Sequence, residues 1–455
     1  MSASAWARLR AAVPGPVREP WLPTVLARNA GTAYLRALGS PPTLQAFRER
    51  VPVVDYEELR PWLQRVEGGE SDVLFSGRPV AYERTGGSTG GSRLIPFSAE
   101  GLLDFQRALL PWLADGAQAH GVTGRAYLSI SPATRAPESV GGVPVGLPDG
   151  AYLGPAAEAL AELSAVPLAV ATIPDVVRWR AETLKHLVAA HDLELISIWS
   201  PTFLLQLLDG IPDPRSTWPR LKLLSCWASA SSRPFAEALA ARLPHAHLQP
   251  KGLLSTECVV TVPSREDRPV LTPHGFFEFE RDGRMHLADE LSPGGVYQVV
   301  ATTASGLYRY RTGDLVRCDG HALPGLPVLE FVGRGELASD LAGEKLSEAF
   351  IDRCLEDVAG FRLLVPEAEG DGYVLLTEAG ARAEREAVER RLCDNPQYAH
   401  ARRLGQLKAL RLLEVERLFD RYVEVQLQHG VRFGDIKPVA LRNERTWTAR
   451  LACRP

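Results

Sequence analysis

The sequence is poor in the features that mark secreted, zinc-binding and membrane proteins. Its 455 residues contain six cysteines, and no two of them form a Cys-x-x-Cys pair, so neither a zinc site nor a disulfide framework is predicted. No apolar run reaches the roughly 18 residues that a membrane-spanning helix needs. The first residues also lack the uninterrupted apolar stretch of a secretion signal. We therefore expect a reduced, cytoplasmic protein that does not enter a membrane.

An excess of positive charge is also missing. Lys and Arg together number 51 against 55 Asp and Glu, for a net charge of −4. Proteins that bind nucleic acids usually present a basic face, so no nucleic-acid partner is expected. No period of 20–50 residues repeats along the chain, which excludes a solenoid.

The patterns that are present predict an α/β protein. Residues 1–70 place apolar residues at three- and four-residue spacing, as amphipathic helices do. From residue 125 to 263, short apolar strands alternate with helices, which favours a mostly parallel sheet. The Gly- and Pro-rich segment 141–154 is interpreted as an irregular loop. From about residue 273, short strands separated by glycines predict an antiparallel subdomain.

Length and composition together predict two domains. The chain is too long for one ordinary hydrophobic core. Gly333-Arg334-Gly335-Glu336 is interpreted as a hinge, and the segment after it alternates helix and strand as a small α+β domain does. We therefore expect a large N-terminal domain over 1–334 and a small, mobile C-terminal domain over 335–455.

The most unusual stretch is Thr85–Arg93, with the sequence TGGSTGGSR. Glycines let the backbone turn and approach a ligand closely, and consecutive amides in such a turn bind anions. The stretch does not match the phosphate loop G-x-x-x-x-G-K-[ST] or the dinucleotide fingerprint G-x-G-x-x-G. It contains a formal G-x-S-x-G, but an extended segment ending at Pro96 follows where a hydrolase needs a helix. Taken alone, the stretch is either a phosphate cradle or a flexible surface hairpin.

Three further clusters carry groups suited to nucleotide chemistry. In Ser255-Thr256-Glu257, a carboxylate after two hydroxyls offers oxygen ligands for Mg²⁺, although a solvated Glu is the simpler interpretation. Asp314, after Tyr308-Arg309-Tyr310-Arg311-Thr312-Gly313, is placed to accept hydrogen bonds from ribose hydroxyls, or it belongs to a salt-bridged hairpin. Lys437 lies between Ile436 and Pro438 and is either a phosphate-binding cation or a surface lysine.

The order of these clusters resembles that of the adenylate-forming ANL superfamily. A Ser/Thr/Gly loop is followed by Thr-Glu, by Tyr-Arg-x-Gly-Asp, by Gly-Arg at a hinge and by a late lysine. Within the superfamily the chain is most similar to the acyl-acid amido synthetases, plant enzymes that conjugate auxin and jasmonate to amino acids, and their bacterial relatives. FRERVPVVDYEELRPWLQRVEGGESDVL and GLYRYRTGDLVRCDG carry the likeness into the N-terminal and middle regions.

The resemblance implies a role for each matching residue. Lys437 would stabilise charge on the α-phosphate of ATP, with Thr256 and Glu257 near that phosphate and Glu257 as the Mg²⁺ ligand. The remaining ATP contacts would come from Thr85, Gly86, Gly87, Ser88, Thr89, Gly90, Arg93, Ala228, Ser229, Ser255, Asp314 and Arg334. The loop is one residue shorter than in plant members and carries Arg93 near the usual lysine, which leaves the role of Arg93 open because Arg and Lys differ in geometry.

The resemblance further implies a reaction. ATP would activate a carboxylic acid as an acyl-adenylate, rotation of the small domain would follow, and an amine or amino acid would accept the acyl group. The acid is expected near Ser131, Gly142, Trp199 and Thr202, in apolar surroundings that favour a hydrophobic or aromatic acid. An acid–thiol (CoA) ligase shares the nucleotide motifs and is the alternative, and a non-catalytic nucleotide-binding scaffold is a third interpretation. A free-standing ligase of this kind suits specialised metabolism.

Overall fold

The computed structural model describes residues 2–14, 20–85, 93–128, 138–147, 152–335, 338–431 and 433–452. Within these ranges the α-helices are α1 (Ser2–Ala11), α2 (Trp21–Asn29), α3 (Ala33–Ala37), α4 (Leu44–Arg50), α5 (Tyr56–Glu67), α6 (Ala99–Ala119), α7 (Ala157–Leu163), α8 (Val176–Val188), α9 (Pro201–Leu208), α10 (Pro214–Thr217), α11 (Arg233–Arg242), α12 (Glu348–Cys354), α13 (Arg385–Leu392), α14 (Pro396–Arg403), α15 (Leu418–Gln428) and α16 (Trp447–Ala452).

The strands of the described chain belong to five sheets. They are β1 (Ala81–Arg84), β2 (Leu94–Phe97), β3 (Arg125–Leu128), β4 (Glu138–Val140), β5 (Val143–Val145), β6 (Leu193–Ser197), β7 (Leu223–Cys226), β8 (His247–Pro250), β9 (Thr261–Pro263), β10 (Pro269–Leu271), β11 (Phe276–Arg281), β12 (Arg284–His286), β13 (Val296–Thr302), β14 (Tyr310–Leu323), β15 (Leu326–Arg334), β16 (Ala338–Ser339), β17 (Leu346–Ser347), β18 (Arg362–Pro366), β19 (Tyr373–Glu378) and β20 (Arg411–Val415).

The helices of the first 70 residues form where the sequence pattern predicts them, and side chains cap the N-termini of α3, α4 and α5. At α5, Asp55 accepts a hydrogen bond from the Glu58 amide while the Glu58 carboxylate accepts one from the Asp55 amide. This reciprocal arrangement satisfies two backbone donors that a helix end leaves unpaired. No helix of the described ranges is long and apolar enough to cross a membrane.

The predicted parallel sheet is confirmed. Strands β3, β6, β7 and β8 lie side by side in that order, and each neighbouring pair is parallel. In a parallel sheet the chain leaves every strand at the same edge, and ligands bind in the crevice beyond that edge. Trp199 and Trp227 follow β6 and β7, and Lys251 follows β8, so these three residues emerge at the same edge of the sheet.

The antiparallel subdomain is confirmed as well. Seven strands in the order β12-β11-β13-β14-β15-β10-β9 form one antiparallel sheet. The prediction of an irregular loop over 141–154 was wrong in part, because Val143–Val145 is strand β5. It pairs antiparallel with β4 and parallel with β1, and pairing with neighbours overrides the weak strand tendency of a Gly- and Pro-rich segment.

One apolar core extends across the predicted domain boundary after residue 334. It contains Trp179 and Phe203 from the first part of the chain and Phe361, Phe419 and Phe433 from the last part. The Phe433 ring lies 5.3 Å from that of Phe203 and 5.8 Å from that of Trp179. The C-terminal segment therefore packs directly on the parallel sheet and its helices.

Candidate functional site

The glycine-rich stretch connects the two strands of a β-hairpin. Strands β1 and β2 pair antiparallel from Ala81↔Phe97 to Arg84↔Leu94. At the loop end of the ladder, the Thr85 amide donates to the Arg93 carbonyl at 2.9 Å, and the Arg93 amide donates to Thr85 Oγ1 at 3.2 Å. The predicted phosphate-binding residues Gly86, Gly87, Ser88, Thr89 and Gly90 lie outside the described ranges.

Arg93 is held at the base of this hairpin. Its guanidinium group lies over the ring of Tyr56, 5.0 Å from the ring centroid. Such a cation–π contact contributes about 0.5–2 kcal/mol. This contact joins the hairpin to helix α5, so the structure gives Arg93 a packing partner besides any role toward a phosphate.

Asp314 and Arg334 face each other across two neighbouring strands. They are register partners on β14 and β15, and Arg334 Nε lies 3.2 Å from Asp314 Oδ1. Arg334 also donates from Nη2 to the Thr312 carbonyl at 2.9 Å. Asp314 is buried, and its second oxygen, Oδ2, has no hydrogen-bond partner among the described residues. A buried carboxylate oxygen without a partner costs free energy, and a ligand hydroxyl would supply the missing donor.

Glu257 is a buried carboxylate in the same neighbourhood. Burial, reinforced by the negative charge of Asp314, raises the pKa of Glu257, and the positive charge of Arg334 opposes the rise. The segment before it is a tight turn in which Ser255 Oγ donates to the Cys258 carbonyl at 3.2 Å, and half-buried Thr256 lies between them. Two buried acids close together are the arrangement that a divalent cation relieves.

Lys437 joins this group from the C-terminal segment. Lys437 is an exposed residue, and its Nζ lies 4.6 Å from the centroid of the Trp227 ring. Loss of water around the ammonium group lowers the pKa of Lys437. The negative charges of Asp314, Asp435 and Glu257 oppose that shift. The tertiary structure thus brings together Glu257, Asp314, Arg334 and Lys437, which are far apart in the sequence.

Ala228 and Ser229 follow directly after Trp227 at the end of β7. Both are half-buried, and Ser229 begins a short 3₁₀ turn. The next residue, Ala230, has φ +47°, a left-handed conformation that a non-glycine residue seldom adopts. The backbone therefore bends sharply directly after two of the predicted ATP contacts.

The structure does not place all of the predicted acid-binding residues in one region. Trp199 stands beside Trp227, with 6.1 Å between ring centroids, and buried Thr202 exchanges a 2.6 Å hydrogen bond with Ser200 at the start of α9. Gly142 lies in the exposed turn between β4 and β5, and the carbonyl of neighbouring Gly141 accepts a hydrogen bond from Arg78. Gly142 thus belongs to a turn of the β2-β1-β5-β4 sheet, whereas the two tryptophans follow strands of the parallel sheet. Ser131 lies outside the described ranges.

Lys251, a buried lysine next to the tryptophans, was not predicted from the sequence. Its Nζ lies 4.4 Å from the ring centroid of Trp112 and 4.7 Å from that of Trp199, and it donates to Ser197 Oγ at 2.8 Å. Burial lowers the pKa of Lys251 to about 7. No carboxylate forms an ion pair with it within the described part of the chain. Its position directly after β8, six residues before Glu257, was the available signal.

An apolar cluster borders this lysine. Ala108, Leu109 and Trp112 on α6 pack against Leu254, with Trp199 at the margin. Leu254 precedes the turn that carries Glu257. Apolar walls next to a few polar groups are the usual composition of a small-molecule site.

Comparison with known proteins places the chain among amido synthetases. A model of the GH3 family N-terminal domain matches residues 10–213, and one of the GH3 family central domain matches residues 269–334. The probable indole-3-acetic acid-amido synthetase GH3.1 of Arabidopsis thaliana is 25% identical over 426 residues, which cover 75% of this chain and 70% of that protein. Indole-3-acetic acid-amido synthetase GH3.15 of the same plant is 25% identical over 438 residues, covering 77% of this chain and 72% of that protein.

Solved structures give the same fold. The AtGH3.15 acyl acid amido synthetase in complex with 2,4-DB superposes with a TM-score of 0.80 at 19% identity, covering 99% of this chain and 96% of that one. A 2-hydroxyisobutyryl-CoA ligase in its postadenylation state superposes less closely, with a TM-score of 0.51 at 16% identity, covering 89% of this chain and 91% of that one. The expected architecture of a large α/β part with an antiparallel subdomain and a C-terminal α+β part is therefore confirmed.

Proposed function

Because the chain belongs to the GH3 family, we propose that it is an ATP-dependent ligase that joins a carboxylic acid to an amine or an amino acid. The observation that carries the proposal is the convergence of Lys437, Glu257, Asp314 and Arg334 in one cleft. This set combines a cation for a phosphate, a carboxylate for Mg²⁺ and a carboxylate for a ribose. Its use of ATP agrees with the cytoplasmic location expected from the sequence.

The chemistry requires activation because a carboxylate has no good leaving group. A carboxylate oxygen of the acid attacks the α-phosphorus of ATP, a new O–P bond forms, and pyrophosphate leaves. The amine nitrogen then attacks the acyl carbon, the C–O bond to AMP breaks, and the nitrogen loses a proton. The first step concentrates negative charge around the α-phosphate, so the protein contributes mainly positioning and charge stabilisation.

The described residues divide this work. Asp314 accepts hydrogen bonds from the ribose through the oxygen that has no partner among the described residues, and Arg334 holds the other oxygen. Glu257 would hold Mg²⁺, and the metal would supply positive charge that offsets the charge of the phosphates. Lys437 adds its charge from the C-terminal segment. Thr85 and Arg93 anchor the glycine-rich connection, and Ser255, Thr256, Ala228 and Ser229 border the nucleotide.

An aromatic or otherwise hydrophobic acid fits the proposal best. Trp112, Trp199 and Leu254 form apolar walls near Glu257, and the relatives are named as indole-3-acetic acid-amido synthetases. Aromatic rings give a flat acid a large contact area at low entropic cost.

Exchange of labelled pyrophosphate into ATP tests the proposal. The purified full chain is incubated with ATP, Mg²⁺ and a panel of aromatic and aliphatic acids, and acid-dependent exchange is expected. Lack of exchange with every acid would support the nucleotide-binding scaffold instead. Mass spectrometry of reactions that contain mixed amino acids or CoA then separates amide from thioester, and a thioester product would favour the acid–thiol ligase.

A further inference from the structure

Two histidines and an aspartate converge at a surface that the ligase cleft does not use. The ring nitrogens of His120 and His247 and a carboxylate oxygen of Asp267 all lie within 4.8 Å of one another. The two imidazole rings are stacked, with 4.5 Å between centroids and 21° between planes. Three potential metal ligands from three different elements therefore face a common point.

The backbone of each element holds its ligand in place. His120 follows the last residue of α6, and its amide donates to the Gly116 carbonyl at 3.1 Å. His247 is the first residue of β8, and its amide donates to the Lys222 carbonyl at 2.8 Å. Asp267 lies in the turn between β9 and β10 with φ +59°, and its amide donates to the Ser264 carbonyl at 3.0 Å. Ligands on rigid elements keep a metal site preorganised.

A buried side chain orients the carboxylate. Asp267 Oδ2 lies 2.5 Å from His247 Nε2, and Oδ1 accepts a hydrogen bond from Gln249 Nε2 at 2.7 Å. Gln249 is buried, and its own oxygen accepts a hydrogen bond from Trp112 Nε1 at 3.0 Å. Metal-binding carboxylates are usually fixed in this way by outer hydrogen bonds.

The local field favours a cation. His120 stands at the C-terminus of the 21-residue helix α6, where unpaired carbonyls carry partial negative charge. Lys222 Nζ already donates to the carbonyl of Gly121, the next residue along the chain, at 2.6 Å. About half of the His247 side chain is exposed, against 19% of Asp267, so an ion has a route from solvent.

We propose that His120, His247 and Asp267 form a binding site for a divalent transition metal of the zinc class. Two imidazoles and one carboxylate suit Zn²⁺, which leaves a fourth position for water. Ligand nitrogens around tetrahedral Zn²⁺ lie about 3.3 Å apart, a distance that rotation of the exposed His247 side chain can reach.

The position of the site assigns it a structural role. His247 begins β8, whereas Lys251 and Glu257 lie beyond the opposite end of the same strand. A metal there would tie the end of α6 to β8 and to the β9–β10 turn, and it would stabilise the folded chain without touching the ligase cleft. Binding to the folded state alone raises stability in proportion to the logarithm of metal concentration.

Titration with Zn²⁺ tests the site without ATP or acid, so the outcome does not depend on the proposed ligase activity. Calorimetry of the metal-free full chain is expected to show one Zn²⁺ per chain and a higher unfolding temperature with the metal. His247→Ala and Asp267→Asn are expected to weaken binding at least about 10-fold and to abolish the rise in unfolding temperature. Co²⁺ absorption gives an independent signature of nitrogen ligation.

A matched control uses His191, an exposed histidine outside the cluster whose Nδ1 lies 3.1 Å from the Thr217 carbonyl. His191→Ala is expected to bind Zn²⁺ as the unmodified chain does. If His247→Ala does not fold, His120→Gln on the exposed end of α6 replaces it. Equal Zn²⁺ affinity in the unmodified chain and the folded cluster variants, or no binding by the unmodified chain, would overturn the proposal.

Discussion

The position of the Lys437 side chain is set by its tertiary contacts more than by the sequence motif in which it lies. Its ammonium group faces the ring of Trp227, and its backbone carbonyl accepts a hydrogen bond from the Tyr422 hydroxyl at 3.2 Å. Both contacts direct the side chain toward the cleft that contains Asp314 and Glu257. The late lysine predicted from the motif order thus lies next to the other charged residues, although its role in catalysis stays a proposal.

Lys437→Ala is expected to slow acid-dependent pyrophosphate exchange by about 10²–10³-fold, because one charge that stabilises the transition state is removed. The unfolding midpoint should change little, since the side chain is exposed. Lys185→Ala is the control, because Lys185 is an exposed lysine on α8 paired with Glu182. Near-normal exchange by Lys437→Ala would contradict the assigned role.

Burial of the Lys251 charge without a carboxylate partner among the described residues costs free energy of folding. The faces of Trp112 and Trp199 and the hydroxyl of Ser197 compensate in part. Since its pKa is lowered to about 7 from 10.5, the unfolded chain holds this proton more tightly than the folded one. The cost of the buried charge is therefore complete below about pH 7 and declines as the pH rises toward the unfolded value.

Lys251→Met is expected to stabilise the protein at about pH 6 by an amount on the order of 2 kcal/mol, because an apolar side chain of similar volume replaces a buried charge. The gain should shrink toward about pH 9. Urea unfolding at both pH values measures the difference, and Lys185→Met serves as the exposed control. A gain that grows with pH, or a loss at the lower pH, would show that the aromatic contacts outweigh burial.

At the scale of elements, helix α6 connects the hairpin to the rest of the molecule. Its N-cap Ser98 accepts a hydrogen bond from the Gly101 amide and donates to the Ala304 carbonyl, both at 2.9 Å. The Ser98 amide donates to Ser305 Oγ at 3.1 Å. One buried residue thus ends strand β2, starts α6 and fixes both to the turn before β14.

Ser98→Ala is expected to lower the free energy of unfolding by about 2 kcal/mol, because the cap is lost and buried polar groups lose a partner. Thr43→Ala removes an exposed cap, the acceptor for the Ala46 amide at α4, and should cost about 1 kcal/mol. Urea unfolding of both variants gives the comparison. Equal losses would mean that the tertiary contacts of Ser98 contribute nothing.

Most elements were predictable, and the exceptions have physical causes. Helix α15 was not predicted, and its N-cap Arg417 has φ +54° and a side chain that accepts no hydrogen bond from the backbone amides of the first turn. Without a Ser, Thr, Asp or Asn cap, its start carries no local signal. Strand β5 was hidden by the glycines and prolines around it, and its pairing with β1 and β4 decides its conformation.

At the scale of the whole molecule, the apolar core that both parts of the chain share opposes the predicted domain motion. The Phe419 ring lies 5.6 Å from that of Phe235 on α11 and 5.1 Å from that of Phe361. A large rotation about the hinge would separate the Phe419 ring from that of Phe235, and exposing apolar surface costs about 25 cal/mol per Å². The division at residue 334 and the mobility of the C-terminal part stay predictions.

Because the core is continuous, we expect one cooperative unfolding transition for the whole chain. Phe433→Ala, which empties the contact with Trp179 and Phe203, should lower the free energy of unfolding by about 3–5 kcal/mol. Fluorescence and circular dichroism during urea unfolding should coincide. Two separate transitions in the unmodified chain would instead favour an independent C-terminal domain.

Local patterns in the sequence determined much of this protein: the helices of the first 70 residues, the parallel and antiparallel sheets, and the order of motifs that carries the family resemblance. These features depend on neighbouring residues, so periodicity and capping residues are sufficient to detect them. Tertiary structure alone decided which distant groups meet, as when Lys437 joins Glu257, Asp314 and Arg334, or Trp112 and Trp199 enclose Lys251. It also decided the convergence of His120, His247 and Asp267, because contacts between elements depend on how the sheets and helices pack, which no short stretch of sequence encodes.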